Sequence, residues 1–157
     1  MRKIIILNWV LKIFIGLLIL AIPIDECLRY NMSSEVITLM YKNSIFGIFS
    51  PYVMLVRIAI LILALFNIQK GLQGFIKEGF FNFKSSERFN RSGYLLLLLS
   101  VSGIIIRLLG VNQSPEDQIL SDIIMYLLLL AIGFGLLAFS DVIKKGNIIE
   151  TENNLTI

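Results

Sequence analysis

The sequence contains no histidine and a single cysteine, Cys27. Without a second thiol no internal disulfide can form, and a zinc site would lack nearly all of its usual ligands. With no imidazole, acid–base chemistry loses its commonest side chain. There is no phosphate-binding loop, no nucleophile elbow and no H-E-x-x-H motif. Charge is scarce too: only 16% of residues are Asp, Glu, Lys or Arg. The carboxylates stand near the edges of apolar runs, not paired at their centres as an intramembrane protease would need. These absences argue against an enzyme and imply neither cofactor nor metal.

What is abundant is apolar surface. Hydrophobic residues make up 57% of the 157-residue chain and mean hydropathy is +0.84, above the roughly 45–50% of soluble domains. A soluble core of one domain's size could not hide so many leucines and isoleucines; a bilayer is their natural solvent. The net charge of +3 and pI near 9.1 do not point to nucleic acid. The basic residues fall between apolar runs, as in membrane proteins, and no compact nucleic-acid-binding motif is present. Membrane lipid is the expected surrounding; nucleic acid is not expected as a direct ligand.

Four runs are long enough to cross a bilayer, given the ~20 residues a spanning helix needs. The expected fold is therefore an all-α bundle of four transmembrane helices over about 4–24, 51–69, 93–111 and 115–145, with an earlier start of the third helix, at Ser85 or Ser86, as the alternative. Arg2 and Lys3 precede the first run, but it is longer than a signal-peptide core and no cleavage site follows Ala21-Ile22-Pro23. It should stay attached and end near Pro23. Pro51 suits the first turn of the second helix. Ser114-Pro115-Glu116-Asp117 reads as a capped start for the fourth, and Gly146 as its stop. Residues 25–50 form a mixed loop, in which Ser33-Ser34-Glu35 caps a short helix or Val36-Ile37-Thr38-Leu39 forms a short strand. Cys27 reads as a partly buried thiol at a membrane edge, since Ile24-Asp25-Glu26 lacks the small residues of a lipid-attachment signal.

Between the second and third runs lies a polar connector, residues 70–92. It carries Lys70, Lys77, Lys84, Arg88 and Arg91 against Glu78 and Glu87, with Phe75, Phe80, Phe81, Phe83 and Phe89 set among them. With four spans, the connector shares one side with both termini, the tail 147–157, Arg2, Lys3, Lys144 and Lys145. The opposite side has only Arg29 and Lys42, and acids alone in the third loop. The positive-inside rule puts the connector and both termini in the cytoplasm, with the protein integral to the cytoplasmic membrane.

Two segments carry a family likeness. Glu78-Gly79-Phe80-Phe81-Asn82, followed by a charged helix start and Gly93-Tyr94, resembles the loop ahead of the third helix in the bacterial domain of unknown function 2975 family. Val142-Ile143-Lys144-Lys145-Gly146, leading to Glu152-Asn153-Asn154-Leu155-Thr156-Ile157, is similar to that family's fourth-helix exit and terminus. Gly79 stands closer to Phe81 than the family pattern has it. The resemblance implies a four-helix bacterial membrane protein without an established activity.

Several side chains invite a role. Arg57, Arg107 and Asp122 fall toward the outer side and would form a polar cluster between helices; alternatively each arginine snorkels to the headgroups along its stem. On the inner side, Asp141 opposes the dipole of its helix, and Lys12, Lys70 or Arg91 would offset it. Gly79, Phe80, Phe81, Arg88 and Arg91 form a candidate surface for lipid or a protein partner, or serve as interfacial anchors. Ala131 and Gly135, with Ala138, mark a packing face on the last helix, and Gly103, beside Ser100, one on the third. A homo-oligomer through Ala131 and Gly135 is a secondary option. The leading expectation is a non-enzymatic membrane protein that holds or regulates a partner through its cytoplasmic connector and tail. The alternative is a small transporter or channel subunit using the Arg57, Arg107 and Asp122 region.

Overall fold

The structure, a computed structural model, describes residues 2–41, 45–110 and 116–155. Every regular element among them is helical: α1 (Arg2–Tyr30), α2 (Ser34–Tyr41), a short 3-10 turn (Gly47–Phe49), α3 (Ser50–Glu78), α4 (Phe83–Leu109) and α5 (Glu116–Leu155). Helices α1, α3, α4 and α5 are each long and apolar enough to span a membrane.

All four spanning helices run longer than the hydropathy pattern suggests. Helix α1 continues through Pro23 instead of ending there. A bilayer helix can carry proline, and Arg29 bridges Asp25 and Glu26 from one turn below, which favours two further turns. The connector is not a loop. Helix α3 runs on to Glu78 because Ile68, Leu72 and Phe75 keep one apolar face buried while the lysines point away. Helix α4 then begins at Phe83, so residues 79–82 alone make the turn. Gly79 ends α3 at φ 91° and ψ 173°, backbone that is essentially glycine's alone. Asn82 caps α4: its side chain accepts from Ser85 N at 2.7 Å and donates to Gly79 O at 2.7 Å.

Nor does Gly146 stop the last helix, which passes it and continues to Leu155. Its bare backbone is the seat for the Phe81 ring, which a β-carbon there would strike. At ~1.5 Å per residue, α5 is roughly 60 Å long, about twice a bilayer's hydrocarbon thickness. Within 25–50, the Ser33-Ser34-Glu35 stretch opens a short helix, α2, and Val36 N donates to Ser33 Oγ at 3.5 Å. The Ser114-Pro115 cap, Lys42 and the last two residues lie outside the described residues. Cys27 is exposed, not partly buried.

Helix α4 is the hub, with α3 on one flank and α5 on the other. A third of its most apolar stretch (33%) is buried, against 6–11% in the other three helices. Helix α1 lies against α3, joined by a buried amide pair: Gln69 Nε2 donates to Asn8 Oδ1 at 3.3 Å. Leu72, Phe75, Phe89 and Ile143 form the core near the 79–82 turn, with Ile4 and Leu11 of α1 against them. Both ends of the described chain therefore lie at the turn end of the bundle. Arg29, Ser50 and Gly110 lie at the far end.

Candidate functional surfaces

The seam between α4 and α5 is built from small and hydroxyl side chains seven residues apart. Ser86 faces Ser140, Gly93 faces Gly133, and Ser100 faces Tyr126, so each step down α4 is matched by one up α5. The two serines exchange bonds: Ser86 Oγ donates to Ser140 O at 2.9 Å and Ser140 Oγ to Ser86 O at 2.8 Å. Ser100 Oγ donates to Tyr126 O at 2.6 Å. The α3 side repeats the device, with Ser85 Oγ on Gly71 O and Ser92 Oγ on Ala64 O, both at 2.8 Å. Lipid is as apolar as leucine, so close backbone approach and such bonds hold these helices together.

This shifts the predicted packing face of α5. Ala131 and Gly135 are exposed, and nothing would meet a β-carbon at Gly135. Gly133, between them, touches α4. The four-residue spacing of small residues thus lies on the side of α5 turned away from α4. Gly103 does sit buried in a close contact: a β-carbon there would lie 2.6 Å from both Arg57 Nη2 and the Tyr126 ring.

At the far end, the three residues of the expected cluster divide. Arg107 Nε meets Asp122 Oδ2 at 3.1 Å, an ion pair joining α4 to α5. Pairing, rather than snorkelling, is what Arg107 does. Arg57 stacks instead on the face of Tyr126, 4.9 Å from the ring centroid. On the turn side, Lys12 lies over Trp9 at 4.9 Å, Lys70 over Phe66 at 5.2 Å, and Arg91 reaches Glu87 at 3.5 Å on its own helix. Asp141 is exposed and makes no ion pair among the described residues. The expected bridge from Asp141 to Lys12 is not made, because the lysine's stem runs along its own helix to the tryptophan.

The turn itself is folded inward. Phe80 stacks on Phe75 at 4.7 Å, Phe81 sets its edge against Phe80 at 5.2 Å, and Phe89 and Phe139 complete the cluster. Asn147 Nδ2 donates to Phe81 O at 2.6 Å, tying the turn to α5. Both rings stay partly exposed, yet they close the end of the core. The open polar surface lies beside them. Lys70, Lys77, Lys84 and Arg88 line a cleft of about 160 Å³ between α3 and α4, with Glu78 its only carboxylate. Lys84 Nζ lies 3.3 Å from Glu78 Oε1, and Arg88 Nη1 donates to Asn67 Oδ1 at 3.2 Å. Lysines 70 and 77 stand seven apart on α3, while Lys84 and Arg88 stand four apart on α4, so both pairs face the same way. A second groove, beside Phe81, runs along Gly146, Ile149 and Asn153 of α5.

Among the described residues no group of His, Cys, Asp and Glu could hold a metal ion. In comparison with known proteins, no family model, no curated protein and no solved structure matches the chain. The likeness to the domain of unknown function 2975 family therefore rests on the two segments that carry it.

Proposed function

We propose that this is a non-enzymatic multi-pass protein of the cytoplasmic membrane, with both termini and the 79–82 turn in the cytoplasm. There it holds or regulates a protein partner that presents an acidic segment. The observation that carries this reading is the cationic cleft of Lys70, Lys77, Lys84 and Arg88, formed on two helices braced by one turn. A preformed surface loses little on docking, and like charge gathered with one carboxylate favours an anionic partner. The length of α5 adds a helical ledge beside the turn. Gly79, Phe80 and Phe81 support the cleft by shaping the turn, and Arg88 belongs to the docking surface itself. Arg91, engaged by Glu87, stands apart from it.

A transport role has less to recommend it. The hydroxyls between helices bond to backbone carbonyls of their neighbours, which uses them for packing rather than for a polar path.

Photo-cross-linking from position 77 in intact membranes tests the reading. One protein adduct is expected, mapped to an acidic stretch and lost when Arg88 and Lys84 are exchanged for glutamate while insertion persists. Adducts to lipid alone, or a protein adduct indifferent to the charge reversal, would defeat it.

A further inference from the structure

Helices α3 and α5 each pack on α4 and leave a groove between them at the far end of the bundle. The groove encloses about 420 Å³, within the ~300–1,000 Å³ of small-molecule sites. Leu61, Leu99, Met125 and Leu129 line it, with Ser50, Arg57 and Tyr126 as its polar members. The guanidinium lies over the face of the Tyr126 ring, with Nη2 in the space that the bare Cα of Gly103 leaves open. Stacking of this kind leaves the in-plane N–H groups free to donate. Among the described residues Arg57 makes no hydrogen bond and no ion pair. Asp122, one turn before Tyr126, is engaged by Arg107.

An arginine at this depth calls for a counter-charge. By sequence it stands seven residues beyond the start of α3, roughly 10 Å along the helix at ~1.5 Å per residue. That is within reach of the headgroup level. An apolar groove with one such guanidinium in its wall, between Leu61 on the deeper side and Ser50 toward the end of the bundle, matches a molecule with an acyl chain and an anionic head. Arginine pairs bidentately with phosphate. We infer that the groove between α3 and α5 binds an anionic phospholipid from the adjacent leaflet, one acyl chain lying along Leu61 and Leu99 and the phosphate on Arg57.

The test uses the full chain, delipidated in non-ionic detergent and offered equal phosphatidylglycerol and phosphatidylcholine, with bound lipid read by native mass spectrometry. Preferential retention of phosphatidylglycerol is expected. Arg57→Gln should lower it about tenfold, the loss of one charge-assisted pair. Leu61→Trp, which fills the groove and leaves the charge, should lower it as well, and this variant decides the matter if Arg57→Gln does not insert. Lys12→Gln should leave retention unchanged, and neither inorganic phosphate nor oleate should displace the lipid. Equal retention of both lipids, full retention by Arg57→Gln or Leu61→Trp, or displacement by oleate would overturn the inference.

Discussion

Exchanging a single glycine for alanine at two positions of this bundle separates packing from helix propensity. A β-carbon at Gly93 would lie 2.7 Å from Leu137 Cδ2 and 3.0 Å from the carbonyl oxygen of Gly133. The leucine methyl can swing aside; the carbonyl belongs to the α5 backbone and cannot. The two helices must therefore move apart by a few tenths of an ångström. That motion lengthens the serine bonds one heptad to either side, at Ser86–Ser140 and Ser100–Tyr126. Overpacking of this kind costs about 1–3 kcal/mol. Alanine also favours a helix over glycine by roughly 1 kcal/mol, so Gly93→Ala alone gives a net change between near zero and about 2 kcal/mol. Gly135→Ala has the same propensity gain and meets nothing. The difference between the two variants isolates the packing term at about 1–3 kcal/mol, measurable by titrating the folded protein with denaturing detergent in mixed micelles. Equal stabilisation of both variants would refute the α4–α5 register. A loss at Gly135 would show instead that this exposed face meets a second copy of the chain.

Four further outcomes follow from the geometry. A double-mutant cycle on Ser86→Ala and Ser140→Ala should give a coupling of about 0.6 to 1.7 kcal/mol in the same titration, the range of hydrogen bonds between membrane helices; zero coupling would contradict the reciprocal pair. Gly79→Ala, forced into left-handed extended backbone, should cost about 1–3 kcal/mol, despite the open space around it. The Arg107–Asp122 pair should couple by under about 1 kcal/mol, because the aspartate side chain is 40% exposed. Cys27, the chain's one cysteine and exposed near the far end of α1, should react with a membrane-impermeant maleimide in intact cells. Labelling only after permeabilisation would reverse the proposed orientation.

The four apolar helices were legible because a run of some 20 apolar residues has few other homes. Their ends were not. Polarity in residues 70–78 reads as a loop if charge alone is weighed, yet Ile68, Leu72 and Phe75 keep the helical period running beneath the lysines. In the same way Gly146 has the composition of a helix stop, while its role depends on Phe81, distant in sequence. The packing face of α5 was missed for a different reason. Small residues lie on two sides of that helix, Ala131 and Gly135 on one, Gly133 and Ser140 on the other, and nothing within α5 says which side meets protein. The signal lies in the pairing of periods: Ser86, Gly93 and Ser100 repeat every seven residues on α4, as do Tyr126, Gly133 and Ser140 on α5. A shared seven-residue repeat keeps two helices in register along a seam. Arg107 and Asp122 were recognisable as a pair by charge, but the diversion of Arg57 to Tyr126 depends on Gly103 leaving room.

The most buried helix of this protein is also its least apolar, the reverse of a soluble core. Apolar side chains gain nothing from each other that lipid does not already give, so the leucines of α1, α3 and α5 are free to face outward. The serines and glycines of α4 gain close approach and hydrogen bonds only from another helix. They consequently select the interior. One result is an uneven bundle: α3, α4 and α5 are joined along two hydroxyl seams, whereas α1 is attached through one buried amide pair and the aliphatic contacts around it. The cationic cleft lies wholly on the firmly joined part, between α3 and α4, and its turn is clamped to α5 by Phe81 and Asn147. Its cations are thus set by the same seam that Gly93→Ala strains. A variant that loosens α4 from α5 should weaken partner capture without touching a single charge, whereas one that loosens α1, such as Asn8→Ala, should leave capture unchanged.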